Sequence, residues 1–162
     1  MPTKIDYLTD SPSGHHYGLN STKSRMFDHS AAQYWDVFLE LTEEENFDLW
    51  KFMYVGLPVM HMSLELIVKA FVTFYDGTYD PKSDKHRTSK IIIDYADKIN
   101  VLKSVRDDAQ KIELIKTLEI AWEGLRYAEC SLQYDRKDEV HLNEMMTLLI
   151  DEYKKISGLQ TL

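Results

Sequence analysis

From Asp28 onward the apolar positions recur at helical spacing. Ala31, Tyr34, Trp35, Phe38 and Leu41 share one face, with Asp28 or Ser30 in front as an N-cap. Thr42 and Glu45 have the spacing of a capping box, which predicts a second helix carrying Phe47, Leu49, Trp50, Phe52 and Met53. Gly56 and Pro58 then predict a break or kink, because proline is tolerated in a first turn and not in a helix interior. Residues 57–75 are apolar almost all round apart from a polar stripe of His61, Glu65, Lys69 and Thr73, so this helix belongs at the centre. After Gly77 and a polar loop, Ile91, Ile92, Tyr95 and Ile99 predict a shorter helix over 88–99, closed by Asn100. Ser104 and Asp107 mark the next start, followed by Ile112, Ile115, Leu118, Trp122 and Leu125. A polar stretch at 133–138 precedes a last helix with Val140, Leu142, Met145, Leu149, Tyr153 and Ile156, and Gly158 is its expected stop. Residues 1–27 lack a period and read as an extended N-terminal arm, leaving 28–162 as a single domain. The expected fold is an all-α, up-and-down bundle of about five helices, with Trp35, Trp50 and Trp122 in its core.

Composition narrows the function classes. A chain of 162 residues suits one domain, and 6 Gly with 4 Pro are too few breakers for an all-β sandwich. The lone Cys130 excludes an internal disulfide and a multi-cysteine zinc site and suits a reducing compartment. The sequence shows no secretory leader and no obvious membrane span, so the expected location is cytoplasmic. A formal charge of -8 disfavours sequence-independent coating of nucleic acid, although a local basic cluster still suits one phosphate. The acid excess is concentrated early: residues 1–60 carry four basic and nine acidic groups.

Three constellations could carry chemistry. The stripe His61, Glu65, Lys69 reads either as an i, i+4 Glu–Lys pair on the exposed line of a buried helix or as a ligand-facing line in a groove. Lys82, Lys85, Arg87 and Lys90 gather around His86 ahead of a helix N-terminus, which makes them either a solvated basic loop or a phosphate site. Arg136 and His141 are separated by four residues and could respectively stabilise a developing phosphorane charge and move a proton in metal-free RNA cleavage. The adjacent His15 and His16 do not make a closed metal site, and no cofactor fingerprint or phosphate-binding glycine loop is present.

The helix LELIVKAF, the loop with Pro81, the His86 opening the next helix and the LRY at 125–127 together resemble the HEPN domain. The similarity covers roughly residues 30–156. It implies a four- or five-helix bundle, commonly a homodimer, associated with nucleotides, RNA, toxin–antitoxin systems or a partner nucleotidyltransferase. Position by position, Glu65 and Lys69 match the family's ElxxK helix, His86 its loop histidine, and Arg126 with Tyr127 its Arg-Tyr pair. Arg136 and His141 match the spacing of the family's ribonucleases, with Lys137 where a small polar residue such as Asn is typical. The expected ligand contacts are therefore Glu65, Lys69, Lys82, Lys85, His86, Arg87, Arg126 and Tyr127, with no metal or cofactor. The alternatives are a dimeric protein-interaction module without a small ligand, and a ribonuclease using Arg136 and His141.

Overall fold

The computed structural model describes residues 17–127 and 135–158, without the side chains of 17–21, Asn46 and Arg126. Its helices are α1 (Tyr17–Thr42), α2 (Leu49–Lys51), α3 (Leu57–Tyr75), α4 (Thr88–Tyr95), α5 (Asn100–Asp107), α6 (Ala109–Arg126) and α7 (Asp138–Gly158). A single 3-10 turn (Glu44–Asn46) follows α1, and a π-turn (Phe52–Gly56) joins α2 to α3. No strand occurs among the described residues, so the fold is all-α.

The largest helix contact is α1 against α3, and two serines define it. Ser24 Oγ of α1 donates to the Ala70 carbonyl of α3 at 2.6 Å, and Ser63 Oγ of α3 donates to the Ala31 carbonyl of α1, also at 2.6 Å. Going seven residues forward on α1, from 24 to 31, goes seven back on α3, from 70 to 63. The two helices are therefore antiparallel, with small residues a heptad apart on each. Ser24, Ala31, Ser63 and Ala70 are all fully buried. Small side chains let the backbones approach closely enough for a hydroxyl to reach the opposite carbonyl. The single Ser24 proton goes to Ala70, so the Tyr153 hydroxyl, 2.6 Å away, donates to Ser24 and ties α7 into the same seam.

Around this seam Phe38, Met60, Leu64, Ile67, Phe71, Ile91, Ile92, Leu102, Ile115, Leu142 and Leu149 form one continuous core. Besides α1, the central α3 touches α4, α6 and α7. By length and composition Leu49–Tyr75 would pass for a membrane span, contrary to the sequence reading, but 72% of its apolar window is buried within this protein.

Several boundaries differ from the sequence expectation. Helix α1 begins at Tyr17, not Asp28, because burying Ser24 and its bond to α3 extends helical order back into the polar stretch; the rest of the expected arm, 1–16, lies outside the described residues. Thr42 does not open a helix. It ends α1, donating to the Leu39 carbonyl, and Asp48 is the residue that caps α2 through its contact with Lys51 N–H. Pro58 does not break the rod. Proline lacks an N–H and crowds the carbonyl four residues back, and the chain absorbs this with the π-turn, in which Leu57 N–H reaches Phe52 O. Gly56 suits that turn, since a Cβ there would meet the Phe52 ring at 3.2 Å.

Asn100 opens α5 instead of closing α4: the chain turns after Tyr95 so that Ile99, Leu102 and Val105 can all be buried. Asp108 caps α6, accepting from the N–H groups of Gln110 and Lys111. Gly158 is the last residue of α7 and not a stop beyond it. Counting Leu49–Tyr75 as one rod, the described residues form six helices, in rough agreement with the expected count of about five.

Ser24→Ala orphans the buried Tyr153 hydroxyl and should cost about 1–3 kcal/mol in urea unfolding. Adding Tyr153→Phe should cost less than the sum of the two single changes, because no unpaired hydroxyl remains in the core. Additive losses would mean that the bond does not hold α7 to the seam.

Candidate functional site

The polar stripe of α3 is not exposed. His61 is 0%, Glu65 2% and Lys69 7% exposed, covered by the 76–87 loop and by α6. Glu65 and Lys69 therefore do not line a groove directly, and the exposed-line reading fails as well.

The loop that covers them is built from consecutive turns. Asp76 Oδ1 accepts from Thr78 N–H and its hydroxyl, Asp80 Oδ1 from Lys82 N–H, and the Asp84 carbonyl from Arg87 N–H. Tyr95 of α4 donates to Asp76 Oδ2 at 2.8 Å and anchors the start of the loop. Its end holds Lys85 and His86 in the left-handed region, at φ 45° and 67°. That conformation costs a non-glycine residue about 1–2 kcal/mol. Here it turns the His86 ring inward, so that Nδ1 lies 2.9 and 3.2 Å from the two Glu65 oxygens.

Glu65 also accepts from Lys69 Nζ one helical turn on. Burial works to raise the Glu65 pKa, but the hydrogen bonds from Lys69 and His86 outweigh it and hold the carboxyl below its ordinary value. An ionised carboxylate thus sits beneath the loop between two basic side chains. His61 lies one turn before it and stacks on Trp122 of α6, with centroids 5.3 Å apart and planes at 18°. Neither His61 ring nitrogen has a hydrogen-bond partner, and burial lowers its pKa to about 4 despite the nearby Glu65 charge.

Above this buried group, half of the His86 side chain remains exposed. It lines a cleft of about 390 Å3 together with Lys85, Arg87, Trp122, Glu123 and Tyr127. Lys90 also borders the cleft, but it pairs with Asp84 at 3.2 Å and Asp94 at 2.6 Å. The start of α4 is already served by an internal anion: Glu119 of α6 accepts from both the N–H and the hydroxyl of Ser89. An incoming anion would therefore meet the side chains of Lys85 and Arg87, not the helix amides.

Of the residues expected to contact a ligand, Lys85, His86, Arg87 and Tyr127 border this cleft. Glu65 and Lys69 lie under it, and Lys82 is exposed on the loop outside it. The Arg126 side chain falls outside the described residues, as do His15, His16 and Cys130. The sequence reading missed Glu119, Ile120 and Glu123, and placed Trp122 wholly in the core, although its ring forms part of the cleft wall.

Arg136 and His141 lie elsewhere. The Arg136 guanidinium bonds Glu139 at 3.0 Å and the Thr42 carbonyl at 3.2 Å, and covers the Phe47 ring at 4.3 Å. These contacts pin the start of α7 to the end of α1. His141 is half-buried within α7. Among the described residues no three His, Cys, Asp or Glu side chains converge as a metal site.

The depressed His61 pKa makes stability depend on pH with a defined sign. As pH falls from 6.5 towards 4, the unfolded chain takes up a proton that buried His61 refuses, so the folded state loses about 3 kcal/mol. Urea unfolding across that window should show the decline, and His61→Phe, which keeps a ring against Trp122, should flatten it. An unchanged slope in the variant would assign the decline to other groups. Set against known proteins, the chain matches no family model, no curated protein and no solved structure.

Proposed function

We propose that this chain is a HEPN-like helical module that binds a nucleotide or a short RNA segment in the cleft between the 85–90 segment and the end of α6. The observation that carries this reading is the pairing, within one cleft, of the cations Lys85 and Arg87 with an apolar and aromatic wall of Ile120, Trp122 and Tyr127. A base offers a flat apolar face that stacks on such a wall, and its phosphate needs charge-assisted donors a few ångströms away. Glu123, an acceptor when ionised, suits an exocyclic amine or a sugar hydroxyl. The cleft volume falls within the range of small-molecule sites.

The resemblance supports the same reading through placement. Glu65, Lys69 and His86, three of the positions on which it rests, converge at the cleft floor, with Glu65 and Lys69 buried beneath a half-exposed His86. In this reading Glu65 and Lys69 position His86 without touching the ligand. The net charge of -8 favours a small ligand or short segment over a long polyanion. A homodimer, a nucleotidyltransferase partner and a toxin–antitoxin setting follow from the resemblance alone. The ribonuclease alternative lacks comparable support, since the Arg136 guanidinium is engaged in holding α7.

Calorimetry against nucleoside mono-, di- and triphosphates and short RNA oligomers tests this reading. The Lys85→Ala/Arg87→Ala pair should weaken binding at least about tenfold, since a hydrogen bond to a charged group contributes about 1.5–3 kcal/mol. Tyr127→Ala should weaken it without altering its salt dependence. Equal affinity in the wild type and the double variant would remove this cleft from consideration.

A further inference from the structure

A separate surface, at the start of the Leu49–Tyr75 rod, is exposed and aromatic. Leu49, Trp50, Tyr54 and Val55 are all exposed, Trp50 by 72%. The Trp50 and Tyr54 rings stack with centroids 5.6 Å apart and planes within 5°. Helical geometry explains the placement. Phe52 and Gly56 face α1, where Phe52 meets Phe38 at 5.9 Å and Gly56 lies against Leu41. Trp50 and Tyr54, two positions to either side of Phe52, consequently point the opposite way. The sequence pattern placed Trp50 in the core, whereas the structure leaves most of its surface exposed. Clustered exposed aromatics of this kind mark interaction surfaces, and rings already stacked lose little freedom on binding.

Charge selects the occupant. Glu43, Glu44, Glu45 and Asp48 are exposed directly before the patch, and Lys51 is the lone basic residue of 43–55. A second copy of this chain would bring acid against acid. Nucleic-acid phosphates and anionic lipid headgroups meet the same repulsion. We propose that the Leu49–Val55 patch docks a segment of a partner protein in which apolar side chains are flanked by Lys or Arg. The apolar residues cover Trp50 and Tyr54 while the basic ones meet the acidic rim.

The test selects a randomised peptide display library on the full chain and carries the enriched peptides into two variants. Trp50→Ser/Tyr54→Ser removes the aromatic anchor, and Glu43→Lys/Glu44→Lys/Glu45→Lys reverses the rim, with circular dichroism checking that each still folds. Enriched peptides should combine apolar anchors with Lys or Arg, and should bind either variant at least about tenfold more weakly. Should the serine variant not fold, the rim variant decides on its own. Enrichment of acidic or uncharged peptides, retained affinity in the variants, or no enrichment above background would each overturn the proposal. So would a concentration-dependent dimer in sedimentation that the serine variant dissolves, since the occupant would then be a second copy.

Discussion

The architecture depends on how closely α1 and α3 approach. Ser24 and Ser63 each reach across to the opposite backbone, at Ala70 and Ala31, and neither bond forms unless small side chains line the seam. A serine hydroxyl is short, so reaching a carbonyl on another helix requires nearly touching backbones. The pair of bonds also fixes the sliding position of one helix on the other. A shift of one turn would place Phe27 or Ile67 where a small residue is needed. With that register set, Tyr153 closes α7 onto the same point.

The seam commits one side of α3 to α1, which leaves its polar stripe facing α6 and the 76–87 loop. Burying an unpaired Glu or Lys would be costly, so these two members of the stripe are tolerated because they pair with each other and with His86. Lys69 and His86 both contact Glu65, and His86 does so through a backbone conformation uncommon outside glycine. The cleft is a product of this covering. The loop supplies the lip with Lys85 and Arg87, and α6 supplies the opposite wall with Trp122 and Glu123. Internal acids already occupy the start of α4, through Glu119 on Ser89, and pair with Lys90, through Asp84 and Asp94. The cations left facing the cleft are therefore fewer than the sequence suggests, and more localised.

The π-turn links packing to surface chemistry. It passes Pro58 through a continuous helix and holds Phe52 and Gly56 inward, while Trp50, two positions before Phe52, faces out. Trp50 looked like core because it stands one and three positions from the apolar Leu49 and Met53, although a helix sets it on the face opposite Phe52.

Amphipathic spacing alone was enough to give the all-α class, the central place of residues 57–75 and the core positions Phe38, Ile91, Ile115, Leu118 and Leu149. These follow from short-range periodicity, which the chain carries in itself. The basic loop and His86 could also be picked out, since charge clusters are local in sequence. What the local pattern could not supply was whether the polar stripe faced water or protein, because the covering groups, His86 and Trp122, lie 21 and 57 positions beyond Glu65 along the chain. Asn100 and Thr42 misled for a related reason: each is a plausible cap for two helices, and burial of distant side chains decided between them. Tertiary contact likewise spent Arg136 on Thr42 and Phe47, and turned a run of lysines into one lip of a cleft.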